Sequence, residues 1–511
     1  MELHLRLDEK GGLAAQIYTQ LQERISSGTL PAGTVLPSSR ELAARLAVSR
    51  ATVVAAYERL AAHGLIRSRP GVGTVVTELR GSALGRAVTE HRGSAIGRAV
   101  TEHWGSALGP AVAGPRATAA QTRGPVTGTP SGSPLRPRAI WEAEQLAVPE
   151  LAVPDVEFDF APGVPARSQF PFARWRALIN DQLRSRTEVN YAEPAGSIRL
   201  RTALAHHLTV SRGVRTTPEQ LVITTGAQQA FDVAARVLLE PGDMVAIEDP
   251  GYLPAYRGFL AHGARVVGVP VDGEGLMVDR IPSGTRLVYV TPSHQFPLGM
   301  PMSAERRTAL LAWAARHDAA IVEDDYDSEF RFTGRPLTPL QTIDTEGRVL
   351  YVGSFSKTLL PALRVGFLGV PSTLAEAARR AKFVADYGTG GHVQAALATF
   401  IEDGDLARYI RRMRRSYERR HDLLISALRA DFGGVLEPIE SSGGTHMAAL
   451  LAPDQPADTV LATRALAAGV YVGTVSRWGI ERPGPNGFVF GYGAVAAERI
   501  PDALAALRRV I

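Results

Sequence analysis

Leu13, Ile17, Leu21 and Ile25 recur every four residues, so one side of this segment is apolar and the spacing predicts a helix. Gly28 and the "TLPAG" stretch stop it. Ser38, followed three residues later by Glu41, is a capping-box pattern that opens a short helix through Leu46. Ser49 can cap the next helix, whose buried side is Val53, Tyr57 and Leu60, until Gly64 ends it. "LIRSRPGVGTVV" then reads as two short strands around a Pro-Gly turn. Two helices joined tightly and followed by a hairpin predict an N-terminal winged helix-turn-helix over residues 1–77. The second helix of such a unit enters the major groove with its N-terminal residues foremost. Arg50 and Thr52 stand there, and Arg40 begins the helix before it.

From Val156 to Ile511 the pattern changes. "QLVITT", "DMVAIED", "RLVYVTP" and "AAIVEDD" are apolar runs of strand length, each followed by a loop or a helical stretch. This alternation predicts an α/β domain with a mainly parallel sheet covered by helices. Ligands in such sheets sit beyond the carboxyl ends of the strands.

Residues 78–155 fit neither pattern. "RGSALGRAVTEH" at 80–91 returns as "RGSAIGRAVTEH" at 92–103 and then as "WGSALGPAV" from Trp104, a period of twelve. Each unit carries two glycines and Pro/Gly/Thr-rich sequence follows, which argues against a packed solenoid. A long flexible linker expanded by duplication is expected.

Composition narrows the picture further. A chain of 511 residues allows two or three domains, and an apolar fraction of 45% with 50 glycines suits an α/β protein. No apolar run reaches the ~18 residues of a membrane span, and "MELHLRLDEKGG" lacks the pattern of a secretory signal. A cytoplasmic protein without membrane association is expected. The absence of cysteine excludes disulfides, Cys-ligated zinc and thiol catalysis. A net charge of +5 is small for this length and by itself implies no nucleic-acid partner. Residues 1–77 nevertheless hold nine Lys/Arg against six Asp/Glu.

The chemistry gathers around "SFSKTLLPALRVG", residues 354–366. Lys357 follows the apolar run "VLYVGSF", so it stands at a strand end near the core, where burial favours the neutral amine that attacks a carbonyl. Ser354 and Ser356 offer hydroxyls, and Arg364 a bidentate grip on phosphate. In "TTGAQQAFDVAARVLL" a strand, Gly226 and a helix starting at Ala227 and Gln228 present free backbone N–H groups to an anion. In "IVEDDYDSEF" Asp324 and Asp325 end a strand. No histidine pair or further carboxylate cluster supports a metal there, and none is expected. A carboxylate that keeps a pyridinium nitrogen protonated is what pyridoxal chemistry requires.

Two resemblances follow. "LPSSRELAARLAVSRATVVAAYERLAAHGLIRSRPGVGTVV" resembles the GntR-type winged helix, which implies DNA contacts at Arg40, Ser49, Arg50, Thr52 and the wing residue Gly71. The third segment resembles the fold-type I aminotransferases, which use pyridoxal 5'-phosphate (PLP). That resemblance implies a Schiff base at Lys357, a pyridine partner in Asp324, a ring-oxygen donor in Tyr326 and a stacking ring in Tyr252. It further implies phosphate contacts at Ala227, Gln228, Ser354, Ser356 and Arg364, and a tyrosine, Tyr191, that reaches the neighbouring subunit's site. Arg477 in "GTVSRWG" matches a position that binds an effector carboxylate. There are two departures. "QFPLG" stands where catalytic relatives have "QNPTG", so Phe296 replaces a hydrogen-bonding asparagine, and "GFVFGYG" stands where they carry an arginine.

Reader, linker and aminotransferase-like domain in this order resemble the MocR/GabR group of regulators. The group implies a head-to-tail homodimer binding a double-stranded DNA operator under the control of an amino compound or PLP. The alternatives are a working aminotransferase that carries a DNA-binding domain, and a DNA-binding protein whose large domain only dimerises.

Overall fold

A computed structural model describes residues 13–62, 65–69, 73–77, 135–148, 155–184, 193–332 and 337–511, with Leu5, Leu7 and Tyr191. Gly71 and the twelve-residue repeats lie outside the described residues. The chain divides into two compact units, Met1–Ser131 and Gly132–Ile511.

In the first unit α1 (Leu13–Ser26) buries Ile17, Leu21 and Ile25 against α3 (Arg50–Ala62), which contributes Val53, Tyr57 and Leu60. Between them α2 (Ser39–Leu46) is capped by Ser38, whose hydroxyl accepts from the Glu41 amide at 3.2 Å. The carboxylate of Glu41 turns instead to Arg45 one turn on, at 2.5 Å, so half of the capping box is used otherwise. Strands β2 (Ile66–Arg69) and β3 (Gly73–Val76) form the antiparallel wing. A two-residue strand β1 (Val35–Leu36), too short to read from sequence, pairs with β3 and ties the wing to the helices.

The second unit is built on an eight-stranded sheet ordered β5-β12-β11-β10-β9-β6-β7-β8. Its strands are β5 (Leu221–Thr224), β6 (Met244–Asp249), β7 (Arg265–Asp272), β8 (Gly275–Leu276), β9 (Thr285–Val290), β10 (Ala320–Asp324), β11 (Val349–Ser354) and β12 (Gly366–Gly369). The central pairs β7·β6, β6·β9, β9·β10 and β10·β11 are parallel, whereas β12 runs antiparallel to both β11 and β5. Strands covered on both faces need apolar side chains at every position. Thus Leu350 and Val352 of β11 enter one core and Tyr351 another.

A second sheet, ordered β13-β14-β16-β15-β4, gathers distant segments: β4 (Phe158–Phe160), β13 (Leu436–Pro438), β14 (His446–Leu451), β15 (Val470–Thr474) and β16 (Gly487–Gly491). The departing "GFVFG" is β16, and its Phe488, Val489 and Phe490 are fully buried. Residues 139–146, within the span expected as linker, form two 3-10 turns, Ala139–Glu142 and Glu144–Leu146. The Arg257 guanidinium donates to the Gln145 carbonyl at 2.9 Å.

Candidate functional site

The parallel strands deliver their carboxyl ends to one cavity of about 340 Å³. β5 leads through Gly226 into α4 (Ala227–Leu238), β6 leads to Tyr252, β9 to Thr291, β10 ends on Asp324 and β11 on Ser354. Arg364 arrives from the other direction, two residues before the antiparallel β12. Ala227, Gln228, Tyr252, Asp324, Tyr326, Ser354, Ser356, Lys357 and Arg364 all line the cavity. Arg477 is exposed, on the turn Ser476–Trp478, and does not line it; its neighbour Trp478 does. Tyr191 is exposed and packs against Tyr387, 5.6 Å between ring centroids.

Lys357 Nζ donates to the Gly163 carbonyl at 2.9 Å. Burial pushes its pKa down, against the pull of Asp327 and Asp324, so the neutral amine is favoured. Gly163 has φ +79°, and a Cβ there would lie 2.4 Å from Nζ, so this position needs glycine.

Consecutive residues of a strand point to opposite faces, and this separates the two adjacent aspartates. Asp325 turns away from the cavity lining to a buried ion pair with Arg212 at 2.9 Å and to the Tyr351 hydroxyl, both through Oδ2, its Oδ1 being without a partner. Asp324 accepts from Tyr289 at 2.7 Å through Oδ2, while the buried Oδ1 has no partner. Burial, with Asp325 and Asp327 nearby, lifts the Asp324 pKa to about 7 despite the Tyr289 hydrogen bond.

At the other end of the cavity's chemistry, the Ser354 hydroxyl accepts from the Ser356 amide at 3.1 Å and meets its hydroxyl at 3.0 Å. The Arg364 guanidinium donates to the Thr225 carbonyl at 2.5 Å. Gly226 has φ +104°, and a Cβ there would come within 3.0 Å of Arg364 Nη2. Two hydroxyls, a guanidinium and the N-terminus of a twelve-residue helix thus surround a space that suits a phosphate dianion.

Tyr326 donates to the His294 carbonyl at 2.7 Å, and its hydroxyl lies 3.1 Å from His294 Nδ1. His294, Asp327 and His446 form a buried group not foreseen from the sequence. Asp327 accepts from the Thr445 amide and hydroxyl and faces His294 Nδ1 through both oxygens, so these two are tied by hydrogen bonds, while His446 Nε2 has no partner.

In the first unit Arg40, Ser49 and Arg50 are exposed and Thr52 half-buried. Ser49 caps α3 by accepting from the Thr52 amide at 3.1 Å, and the two hydroxyls meet at 2.7 Å. Arg50 donates to Ser39 at 3.4 Å, which links the starts of α2 and α3.

Residues 13–76 match the family "Bacterial regulatory proteins, gntR family", and residues 158–487 match "Aminotransferase class I and II". The probable rhizopine catabolism regulatory protein MocR of Rhizobium meliloti is 36% identical, over 96% of this chain and 92% of its own. The pyridoxine biosynthesis transcriptional regulator PdxR of Corynebacterium glutamicum is 30% identical, over 97% and 95%. The chain belongs to the MocR/GabR family of transcriptional regulators.

The large unit of this MocR-type regulator also resembles solved aminotransferases. An archaeal alanine:glyoxylate aminotransferase has a TM-score of 0.65 at 27% identity, covering 69% of this chain and 90% of that one. The Pyrococcus horikoshii kynurenine aminotransferase has a TM-score of 0.65 at 27% identity, covering 74% and 95%. Against that frame the regulator's Phe296 is buried on the cavity wall. Gly163, Thr291, His446 and Trp478 also line the site and were not foreseen. Gly163, His446 and Trp478 arrive through the second sheet and its flanking loops, whose long-range pairing no local pattern announces. Thr291 was within reach, since it directly follows a legible strand.

Proposed function

We propose that the aminotransferase-like unit binds PLP and that an amino compound, or PLP itself, acts there to control the hold of the winged helix on an operator. The observation that carries the cofactor reading is the orphaned Oδ1 of Asp324, a buried acceptor that a protonated ring nitrogen would satisfy. Ala227, Gln228, Ser354, Ser356 and Arg364 would hold the phosphate, Tyr252 would stack on the ring, and Tyr326 would donate to the ring oxygen. Lys357 would hold the aldehyde carbon. PLP supplies an electrophilic carbon for amines and an electron sink. The chain supplies a buried amine whose pKa is lowered, a buried acid and a phosphate cup.

Phe296 favours sensing over turnover, because an aromatic ring cannot donate the hydrogen bond an asparagine gives. Tyr191, Phe383, Val384 and Tyr387 are exposed apolar residues, a patch that a second copy would cover, which supports a homodimer. Among the described residues no helix is long and apolar enough to cross a membrane, in keeping with a cytoplasmic site of action on DNA.

A spectral titration of the purified protein with PLP and then amines, paired with operator binding, tests this reading. Loading with PLP, an absorbance change on amine addition and a parallel change in operator affinity are expected. Sustained keto-acid production at about 1–1000 per second would favour the enzyme instead.

A further inference from the structure

One wall of the cavity is aromatic. Phe296 is its hub: Trp478 meets it edge-on at 4.6 Å between ring centroids, His446 at 5.3 Å and Tyr252 at 5.5 Å. All four line the cavity. Among the described residues, its cationic lining side chains are Lys357 and Arg364, and the proposed cofactor engages both. A carboxylate entering beside Phe296 would meet aromatic carbon, and among the described lining residues no cation is left free to offset its lost hydration. His446 is held neutral by burial, its pKa pushed down to about 3, and makes a hydrogen bond to the Pro297 backbone. Its Nε2 has no partner, and a neutral imidazole nitrogen of this kind accepts from a hydroxyl.

We propose that the site selects a primary amine on an aromatic body without a carboxylate, an arylalkylamine, whose ring packs edge-to-face on Phe296 and Trp478. This rests on the PLP reading above.

The test is a titration of the full-length, PLP-loaded protein with phenethylamine and with phenylalanine, which differ by one carboxylate. Binding is followed by PLP absorbance and, independently, by calorimetry. Phenethylamine is expected to bind at least about tenfold more tightly, and tyramine more tightly still through His446. Trp478→Ala is expected to weaken phenethylamine about three- to tenfold while changing methylamine less. Equal or tighter binding of phenylalanine overturns the proposal, as does an equal effect of Trp478→Ala on both amines. The wild-type comparison decides the matter if that variant does not fold. A protein that takes up no PLP overturns the functional reading itself, whereas one that binds PLP and prefers phenylalanine overturns only this inference.

Discussion

Lys357 and Asp324 face the same cavity with opposite needs: burial disfavours the charge on each. Lys357→Ala is expected to abolish the absorbance of lysine-bound PLP and the ligand response, with the full-length variant still binding the operator. Residual PLP binding through Ser354, Ser356 and Arg364 would be seen by equilibrium dialysis. Asp324 gives a pH prediction. Its pKa rises from an ordinary 3.8 to about 7 in the folded, cofactor-free protein. The folded state therefore keeps a proton that the unfolded chain has released. Stability falls as pH rises through this window and levels off above it. Glu248, Glu323 and Glu329, each lifted by burial to about 7, act in the same direction and outnumber His207 and His446, which burial lowers to about 4 and about 3 and which act oppositely below about pH 6.5. Without cofactor the protein should melt at a lower temperature at about pH 7.5 than at about pH 5.5, and Asp324→Asn should narrow the gap. A melting temperature unchanged between these pH values would contradict the burial argument.

Helix starts decide much of the function. Arg50 opens α3 and is exposed, so Arg50→Ala should weaken operator binding by about 1–3 kcal/mol if it reads a base, measured by fluorescence anisotropy. Ser49 caps the same helix, and its loss to alanine should cost about 0.5–2 kcal/mol of stability, seen in denaturant unfolding of the first unit. At the start of α4, Gly226→Ala would force a side chain into a left-handed backbone and against Arg364. PLP affinity should drop roughly tenfold, about 1.4 kcal/mol. These elements were legible because their signals are local: a four-residue apolar spacing, a serine before a helix, a glycine between strand and helix. The buried strands were legible as well, being apolar at nearly every position. The second sheet was not. β4 is three residues long, and β16 pairs with β14 and β15 across gaps that only the folded chain closes. His446 and Trp478 were missed with it, although Phe296, the ring they pack on, stood out.

Two compact units share one chain, and the twelve-residue duplication lies in sequence between the winged helix and the large unit. If the repeats behave as the flexible linker their sequence leads one to expect, removing residues 92–103, one copy of the unit, should change operator affinity by less than about twofold, because the span of such a chain varies only with the square root of its length. A large loss in the same binding assay would mean that the repeat makes a specific contact. The 3-10 turns at residues 139–146 are anchored within the second unit. The Gln145 carbonyl there is gripped by Arg257 of the helix Leu253–Ala261, which begins immediately after Tyr252. Gln228, from the lip of the cavity, donates to Pro254 of that same helix at 3.0 Å. Residues 139–146 are therefore held to the helix that frames the cavity, so this stretch of chain and the cavity lip move as one.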